Sequence, residues 1–431
     1  MSWKIYRHFN NRRYITINKE FNMKDIIIIG GGASGLVAAI YAAKSGKKVT
    51  ILEKNKTCGK KILITGNGKC NYWNEDQALS HYHSNNIEIL RSILTKENQQ
   101  EILNLFNSLG IIPKIRDGYY YPYSTQATSI QTALIKECEL NNVEIITETE
   151  VLNINKENNI YQINTNNGIY TTKKVILSTG SYACPKTGSD GLGYKIATSL
   201  GHSLIQPLPA LVQLKASAPY LKEWHGIRSD VSVSLIENNK LISTQVGEIQ
   251  LTDYGVSGIC IFCLSGQVSR GLSKNKQEQI SINFLYPFNI NNKEEFITWM
   301  DKRNEQVLNR TISELLDGLL NYKLINLILK LSQIDRTSYW YNLSIDQKYL
   351  LGTNLTNFIV NITGTNSYDQ AQTCTGGIPL TEINPNTMES LYNEGLYITG
   401  ELLDIDGNCG GYNLTNAWIT GMLAGKGASH D

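Results

Sequence analysis

The sequence predicts an α/β protein that combines a parallel sheet and its packed helices with a second β-rich unit and a small helical module. Three observations support this fold class. An aliphatic run at residues 26–29 leads into a glycine-rich turn and a helical pattern. Strand patterns dominate residues 143–177 and 210–287, and apolar residues recur with a period near 3.6 between residues 291 and 351. A chain of 431 residues needs more than one hydrophobic core.

Charge and composition favour a small-molecule partner. Lys and Arg number 40 against 38 acidic residues, so no broad field would attract nucleic acid or an anionic membrane. The most apolar window, residues 26–43, is broken by glycines where a membrane-spanning helix would carry Leu or Ile. The eight cysteines are widely spaced, unlike a secreted disulfide framework, which favours a reducing, cytoplasmic location.

The first 22 residues are basic and polar and lack the apolar core of a secretory signal. A strand pattern begins directly after Met23. We therefore expect the functional protein to start at Met23 and residues 1–22 to be a disordered extension, with an organelle presequence as the alternative.

The first elements form a strand, a turn and a helix. Residues 26–29 predict a strand buried on both faces, residues 33–44 predict a helix that ends at Gly46, and residues 49–52 predict a second strand. Gly30, Gly32 and Gly35 form GxGxxG between the first strand and the helix. In this motif the glycines allow a tight turn, close approach to a pyrophosphate and helix-to-strand packing. The helix start at Ala33 and Ser34 would stabilise the phosphate charge.

An acidic residue completes the dinucleotide motif. Glu53 ends the second strand, eighteen residues after Gly35, where a carboxylate accepts hydrogen bonds from ribose hydroxyls and disfavours a 2′-phosphate. The first site is therefore predicted to hold FAD or NAD rather than NADP. Lys54, beside this acid, and Val151, which starts a later strand, are assigned to the same cofactor-binding set.

A pattern far downstream favours FAD over NAD. Residues 175–180 form an aliphatic strand that ends in Thr179 and Gly180, and residues 395–401 repeat this pattern up to Gly400 and Glu401. Asp404 follows, and it would suit the ribityl hydroxyls of a flavin. A second glycine-rich helix start could stabilise negative charge on the pyrimidine side of a reduced flavin, although a simple glycine cap is the alternative. Its residues are Gly410, Gly411, Tyr412, Asn413 and Leu414.

Several longer motifs resemble a bacterial family of FAD-dependent oxidoreductases, the BaiN-like and aminoacetone oxidase-like proteins, which includes a bile-acid enone reductase. The resemblance covers nearly everything from Met23 onward. The motifs are CGKKILITGNGKCN at residues 58–71, STGSYACPKTGSDGLGY at residues 178–194, GEIQLTDYGVSG at residues 247–258, TGGIPLTEINPNTMES at residues 375–390, and residues 395–414.

The resemblance implies a discontinuous Rossmann-type FAD domain, an inserted β-barrel-like domain and a helical domain inserted in that barrel. We place the FAD domain at residues 23–209 and 376–431, the β-rich domain at residues 210–290 and 352–375, and the helical domain at residues 291–351. The resemblance also implies non-covalent FAD and NAD(P)H as electron donor. Carried over by position, the residues near the flavin are Lys60, Lys61, Asn67, Gly68, Lys69 and Asn71.

Two departures from the family pattern concern the substrate side. Trp73 stands where the family usually has Thr, and Ile259 and Cys260 follow Gly258 where Pro is common after the Ser-Gly pair. The first of these leaves the shape of the substrate side open.

Three functions are consistent with these motifs. The first is an NAD(P)H-driven reductase of unsaturated carbonyl compounds, with Tyr412, Lys69 and Cys70 as the predicted catalytic groups. The second is an amine oxidase that produces hydrogen peroxide. The third, a flavin-dependent RNA-modifying protein, is disfavoured by the nearly neutral charge.

Other patterns have more ordinary explanations. Cys260 and Cys263 form an isolated CxxC that lacks the second pair of a zinc site, so packing is preferred to a redox role. Cys58 and Cys70 do not have the CxxxxC spacing of disulfide reductases. His81 and His83 lack evident further metal ligands. The tyrosines around Pro122 are expected to pack, with a substrate role as the alternative. The sequence predicts no metal site.

Overall fold

The structure is a computed structural model that describes residues 24–430. The expected extension at residues 1–22 lies outside the described residues. The described part of the chain before residue 211 supplies six strands of the main sheet and five strands that pair outside it. Its strands are β1 (Lys24–Ile29), β2 (Val49–Leu52), β3 (Trp73–Asn74), β4 (Tyr82–His83), β5 (Pro113–Arg116), β6 (Tyr119–Pro122), β7 (Glu144–Ile146), β8 (Val151–Glu157), β9 (Ile160–Thr165), β10 (Gly168–Leu177) and β11 (Ile205–Ala210). Its helices are α1 (Ala33–Lys44), α2 (Ile87–Ile93), α3 (Lys96–Ser108), α4 (Ala127–Leu140) and α5 (Leu192–Ser199).

The middle of the chain forms a closed six-stranded barrel in the order β12-β15-β14-β13-β16-β17. The strands are β12 (Leu214–Ala216), β13 (Arg228–Glu237), β14 (Lys240–Leu251), β15 (Gly255–Gly258), β16 (Glu278–Asn283) and β17 (Phe358–Thr365). Helix α6 (Ile259–Ser273) follows β15. Four further helices lie between β16 and β17, namely α7 (Lys293–Gln306), α8 (Ile312–Leu316), α9 (Tyr322–Leu331) and α10 (Ile345–Thr356). Barrel and helices share one hydrophobic core, separate from that of the main sheet.

The last part of the chain returns to the main sheet through β18 (Thr373–Gly377), β19 (Leu396–Ile398), β20 (Asp406–Gly407) and α11 (Tyr412–Ser429). The sheet runs β7-β2-β1-β10-β9-β8, and β19 also pairs with β10. Strands β7, β2, β1, β10 and β19 are mutually parallel, whereas β9 and β8 form an antiparallel meander. The parallel strand pairing, the meander and the barrel confirm the predicted α/β fold class.

The first strand lies mid-sheet, as its aliphatic run predicts. Ile26, Ile27 and Ile28 are fully buried, and β2 and β10 pair with β1 on either side. Helix α11 packs closely on α1 through glycine: a Cβ added at Gly421 would lie 2.3 Å from the Ser34 carbonyl oxygen. The C-terminal return therefore brings the start of α11 to the same side of the sheet as the start of α1.

Candidate functional site

The main cavity of the described chain has a volume of about 630 Å³. It opens at the carboxyl ends of β1, β2 and β10, where open α/β sheets bind their ligands, and its size is typical of cofactor sites. Most of the predicted cofactor-binding residues line it. These are Gly30, Gly32, Ala33, Ser34, Glu53, Lys54, Lys60, Lys61, Asn67, Asn71, Val151, Thr179, Gly180, Gly400, Glu401, Gly410, Gly411, Asn413 and Leu414.

The three glycines of the first motif have separate steric roles. Gly30 has φ +96°, and an added Cβ would lie 2.6 Å from the Ser178 carbonyl oxygen. At Gly35, which does not line the cavity, an added Cβ would lie 2.0 Å from the Gly30 carbonyl oxygen, so this glycine lets helix and strand meet. A Cβ at Gly32 would meet only Ser178, at 3.9 Å, and would otherwise project into open space. Gly32 therefore leaves room at the start of α1 for something that is not protein.

Glu53 is buried at the end of β2 and lines the cavity. Its Oε2 accepts a hydrogen bond from the Gly31 backbone N–H at 2.8 Å, and its Oε1 accepts from the Asn55 N–H at 2.8 Å. These two backbone donors hold the carboxylate beside the glycine turn. The carboxylate keeps further lone pairs with which to accept ribose hydroxyls.

An ion pair crosses the middle of the cavity. Lys61 Nζ lies 2.7 Å from Glu401 Oε2, and both side chains are mostly buried. The Ser181 hydroxyl also donates to this carboxylate, at 2.7 Å. Lys54 pairs with Asp190 at 2.6 Å, and Lys60 Nζ donates to the Lys186 carbonyl oxygen at 2.7 Å. The lysines of this wall are thus held in place by specific partners.

The far end of the cavity meets the start of α11. Gly411 precedes the helix with φ +97°, and an added Cβ would lie 2.9 Å from the Trp73 carbonyl carbon. The Asn413 side chain bonds both the N–H and the C=O of Gly407, which fixes the approach to the helix. The first backbone N–H groups of a helix have no intrahelical partner, so they are available to a ligand. The cavity therefore joins two helix starts, those of α1 and α11.

A tight turn at residues 65–70 forms part of the cavity wall near the start of α11. Gly66 and Asn67 both have φ +55°, and the Cys70 N–H donates to the Thr65 carbonyl oxygen. After it, the Asn71 amide nitrogen donates to the carbonyl oxygens of Trp73 and Tyr120. This turn brings Asn67 to the cavity and leaves Gly68 outside its lining.

The predicted catalytic groups and the predicted ribityl ligand do not line the cavity. Lys69 is exposed and points elsewhere. Cys70 is fully buried, and burial raises the pKa of its thiol to about 12. Tyr412 stacks on His81, with ring centroids 4.7 Å apart, and burial raises its pKa. Asp404 accepts the Asn85 N–H at 2.9 Å, and burial raises the pKa of its carboxyl. Their predicted roles stay predictions without direct contact to the cavity.

Packing was the preferred role for the tyrosines around Pro122, with a substrate role as the alternative, and the sequence predicted little else of the cavity wall opposite the main sheet. Tyr119 and Tyr121 of β6 line it, as do Ile64, Leu211, Ile259, Phe262, Thr373 and Cys409. Ile259 and Phe262 belong to α6, so the barrel contributes directly to the site. The sequence signal that places Tyr119 and Tyr121 together is their spacing in β6, because residues two apart in a strand point to the same face.

The cysteine and histidine patterns have defined places in the fold. Cys260 and Cys263 lie on α6, and the eight cysteines, all within the described residues, are free thiols. His81 contacts Asp76 at 2.8 Å, and no cluster that could hold a metal ion occurs among residues 24–430. In the same part of the chain no helix is both long and apolar enough to cross a bilayer.

The residues present fit a long dinucleotide that carries a flavin. The open space at Gly32 suits a pyrophosphate at the start of α1, and Glu53 suits the adenosine ribose. A ligand of this length would span the two helix starts that the cavity joins.

Comparison with known proteins identifies relatives that match nearly the whole chain. The chain is 40% identical over 410 residues to a 3-dehydro-bile acid delta(4,6)-reductase of Clostridium scindens, covering 94% of this chain and 99% of that protein. It is 29% identical to the ribosomal RNA dihydrouridine synthase of Escherichia coli, covering 91% and 95%. An open flavocytochrome c3 fumarate reductase structure matches at 14% identity with a TM-score of 0.48, covering 94% of this chain and 78% of that one.

The family described as HI0933-like protein Rossmann domain matches residues 24–427. This match and the 40% identical relative confirm the resemblance seen in residues 58–71 and the later motifs. The chain therefore belongs to the HI0933-like family and is an FAD-dependent oxidoreductase.

Proposed function

We propose that the protein reduces the carbon–carbon double bond of α,β-unsaturated carbonyl compounds and takes its electrons from NADH or NADPH. The observation that carries this proposal is the 40% identity, over nearly both full lengths, to an enzyme named as a bile acid delta(4,6)-reductase. The apolar cavity wall is the second support, because Ile259 and Phe262 from the barrel and Ile64 from the first part of the chain would accept a hydrocarbon substrate.

The protein's own contribution is binding, orientation and charge stabilisation. FAD, when bound, supplies hydride transfer. The glycine turn and the start of α1 would hold the pyrophosphate, Glu53 the adenosine ribose, and Glu401 the polyol region near its Lys61 partner. The free N–H groups at the start of α11 would stabilise negative charge at the opposite end of the cofactor.

The nicotinamide donor is part of the proposal. The sequence has one strand-GxGxxG-helix unit and no second one in mid-chain, so the nicotinamide would approach the same cavity as the substrate. A cytoplasmic location, where reduced nicotinamides are supplied, fits the eight free thiols.

A second candidate is the reduction of uridine in RNA. The relatives named ribosomal RNA dihydrouridine synthase, from Escherichia coli and Haemophilus influenzae, are 29% and 28% identical over 91% of this chain. The reaction is chemically close, because the reduced double bond of uracil is conjugated to a carbonyl group. We prefer a small substrate, since the identity to the small-molecule reductase is higher and the charge is nearly balanced.

The test is an anaerobic absorption spectrum of the purified protein, titrated first with NADH or NADPH and then with acceptors. The expected result is rapid bleaching of the flavin bands, followed by reoxidation with a cyclic enone. Reoxidation by a ribosomal RNA transcript but by no enone would favour the second candidate. Flavin that stays oxidised with both nicotinamides would contradict the reductase and return attention to the amine oxidase.

A further inference from the structure

Two tyrosines on one strand face the end of the cavity where α11 begins. Tyr119 and Tyr121 are two residues apart on β6, so both side chains point to the same face. A Cβ built at Gly410 would lie 2.8 Å from Tyr119 Cε1, and one built at Gly66 would lie 3.7 Å from Tyr121 Cε1. The two rings thus lie between the turn at residues 65–70 and the glycines before α11.

The hydroxyl groups of these tyrosines lack partners. Among the described residues, no hydrogen bond is made by the Tyr119 or the Tyr121 hydroxyl. Five other tyrosine hydroxyls in the described part of the chain donate to a defined acceptor, those of Tyr82, Tyr161, Tyr194, Tyr368 and Tyr397, whereas several, such as that of Tyr220, do not. What distinguishes Tyr119 and Tyr121 is that both line the same cavity. Their hydroxyls can therefore donate to a ligand that carries an acceptor atom.

The surroundings make these hydroxyls donors rather than bases. Burial raises the pKa of both Tyr119 and Tyr121, so both keep their protons at neutral pH. Ile64 and Phe262 contribute apolar surface to the same cavity, where a hydrogen bond to a carbonyl oxygen is stronger than in water. Apolar side chains thus lie in the same cavity wall as the two tyrosines.

We propose that Tyr119 and Tyr121 are catalytic residues that bind the carbonyl oxygen of the unsaturated substrate and stabilise the charge that develops there. The inference rests on the proposed function. It replaces Tyr412, Lys69 and Cys70, which do not reach the cavity, with two groups that do.

The substrate gains one hydride and one proton. The hydride, which FAD would supply when bound and reduced, would form a C–H bond at the β-carbon. The π electrons of the double bond move toward the carbonyl, and the enolate oxygen accepts hydrogen bonds from the two tyrosine hydroxyls. A proton, drawn ultimately from solvent, adds to the α-carbon and restores the carbonyl. The substrate gains two electrons and two hydrogens, and neither tyrosine is consumed.

The experiment compares Tyr119→Phe, Tyr121→Phe and the double variant with Tyr123→Phe. Tyr123 is a matched control because it follows on the same segment, is 68% exposed and does not line the cavity. The FAD-loaded proteins are reduced anaerobically with NADH or NADPH, and reoxidation by cyclohex-2-enone and by a fused-ring enone is followed by stopped flow. Binding of the saturated ketone to the oxidised protein is measured by calorimetry.

We expect the double variant to be reduced by nicotinamide at the native rate but reoxidised about 100-fold more slowly, the usual effect of losing oxyanion donors. Ketone binding should weaken about two- to tenfold, corresponding to the ~0.5–1.5 kcal/mol of a hydrogen bond. Native-like reoxidation and ketone binding in the double variant would overturn the tyrosine inference alone. Failure of the native protein to be reoxidised by any enone would overturn the proposed function, and the carbonyl assignment with it.

Discussion

Replacing Gly32 by Ala should weaken FAD binding without destabilising the folded protein. Gly32 has φ −79° and ψ −165°, which alanine adopts readily, and the added Cβ would contact only the Ser178 carbonyl oxygen at 3.9 Å. The methyl group would instead occupy the space that the pyrophosphate needs. If it removes two charge-assisted hydrogen bonds of about 1.5 kcal/mol each, binding weakens by about 3 kcal/mol. That corresponds to roughly a hundredfold rise in Kd.

The assay is a titration of the apoprotein with FAD, followed by the change in flavin fluorescence, together with thermal unfolding of the apoprotein. Gly364→Ala is the control, because a Cβ at Gly364 would meet nothing within 4 Å and the residue lies on the barrel strand β17. Gly32→Ala should lose FAD affinity while its unfolding temperature stays within a few degrees of the native value. Native-like FAD affinity in Gly32→Ala would refute a pyrophosphate at the start of α1.

Three further predictions follow from the same geometry. Gly35→Ala should destabilise the apoprotein itself, visible as a lowered unfolding temperature, because its Cβ would lie 2.0 Å from the Gly30 carbonyl oxygen; an unchanged temperature would contradict the tight packing. Lys61→Met should lower stability by about 1–3 kcal/mol in denaturant unfolding by leaving Glu401 unpaired, and Glu401→Gln added to it should restore part of the loss. Burial raises the pKa of the Glu278 carboxyl to about 7, so this group is protonated more readily in the folded state than in the unfolded state. Its contribution to stability is therefore present below about pH 4.5 and is lost as the pH rises toward 7. Glu278→Gln should flatten the pH dependence of unfolding by an amount on the order of 2–3 kcal/mol, and an unchanged slope would contradict this.

The sequence predicts those parts of the site whose chemistry depends on neighbours in the chain. The glycine turn, the first helix and Glu53 lie close together in sequence, and local conformation alone brings them together. The same reasoning placed Asp404 on the ligand because it follows Glu401 closely. Asp404 does not line the cavity, and its carboxylate accepts the Asn85 N–H, so its role toward a ribityl chain stays a prediction.

The cavity wall that would face the substrate could not be predicted from the sequence, and the reason is physical. Its wall combines β6, α6 and residues 372–373, which are distant in the chain and meet only when the barrel docks on the main sheet. Likewise, a glycine-rich helix start does not reveal which side chains of its first turn face the ligand. Tyr412 packs against His81 and Tyr82, whereas the next two residues, Asn413 and Leu414, line the cavity.

The choice between a small enone and an RNA uridine depends on the cavity wall rather than the reacting centre. Both substrates present a double bond conjugated to a carbonyl oxygen, so the Tyr119 and Tyr121 hydroxyls would suit either. An RNA substrate also requires cations that are free to neutralise phosphates. Three lysines line the cavity: Lys54 and Lys61 are paired with the carboxylates of Asp190 and Glu401, and Lys60 donates to the Lys186 carbonyl oxygen. The barrel instead offers Ile259, which is 55% exposed and lines the cavity beside Phe262. An apolar surface in this position favours a hydrocarbon skeleton over a charged backbone.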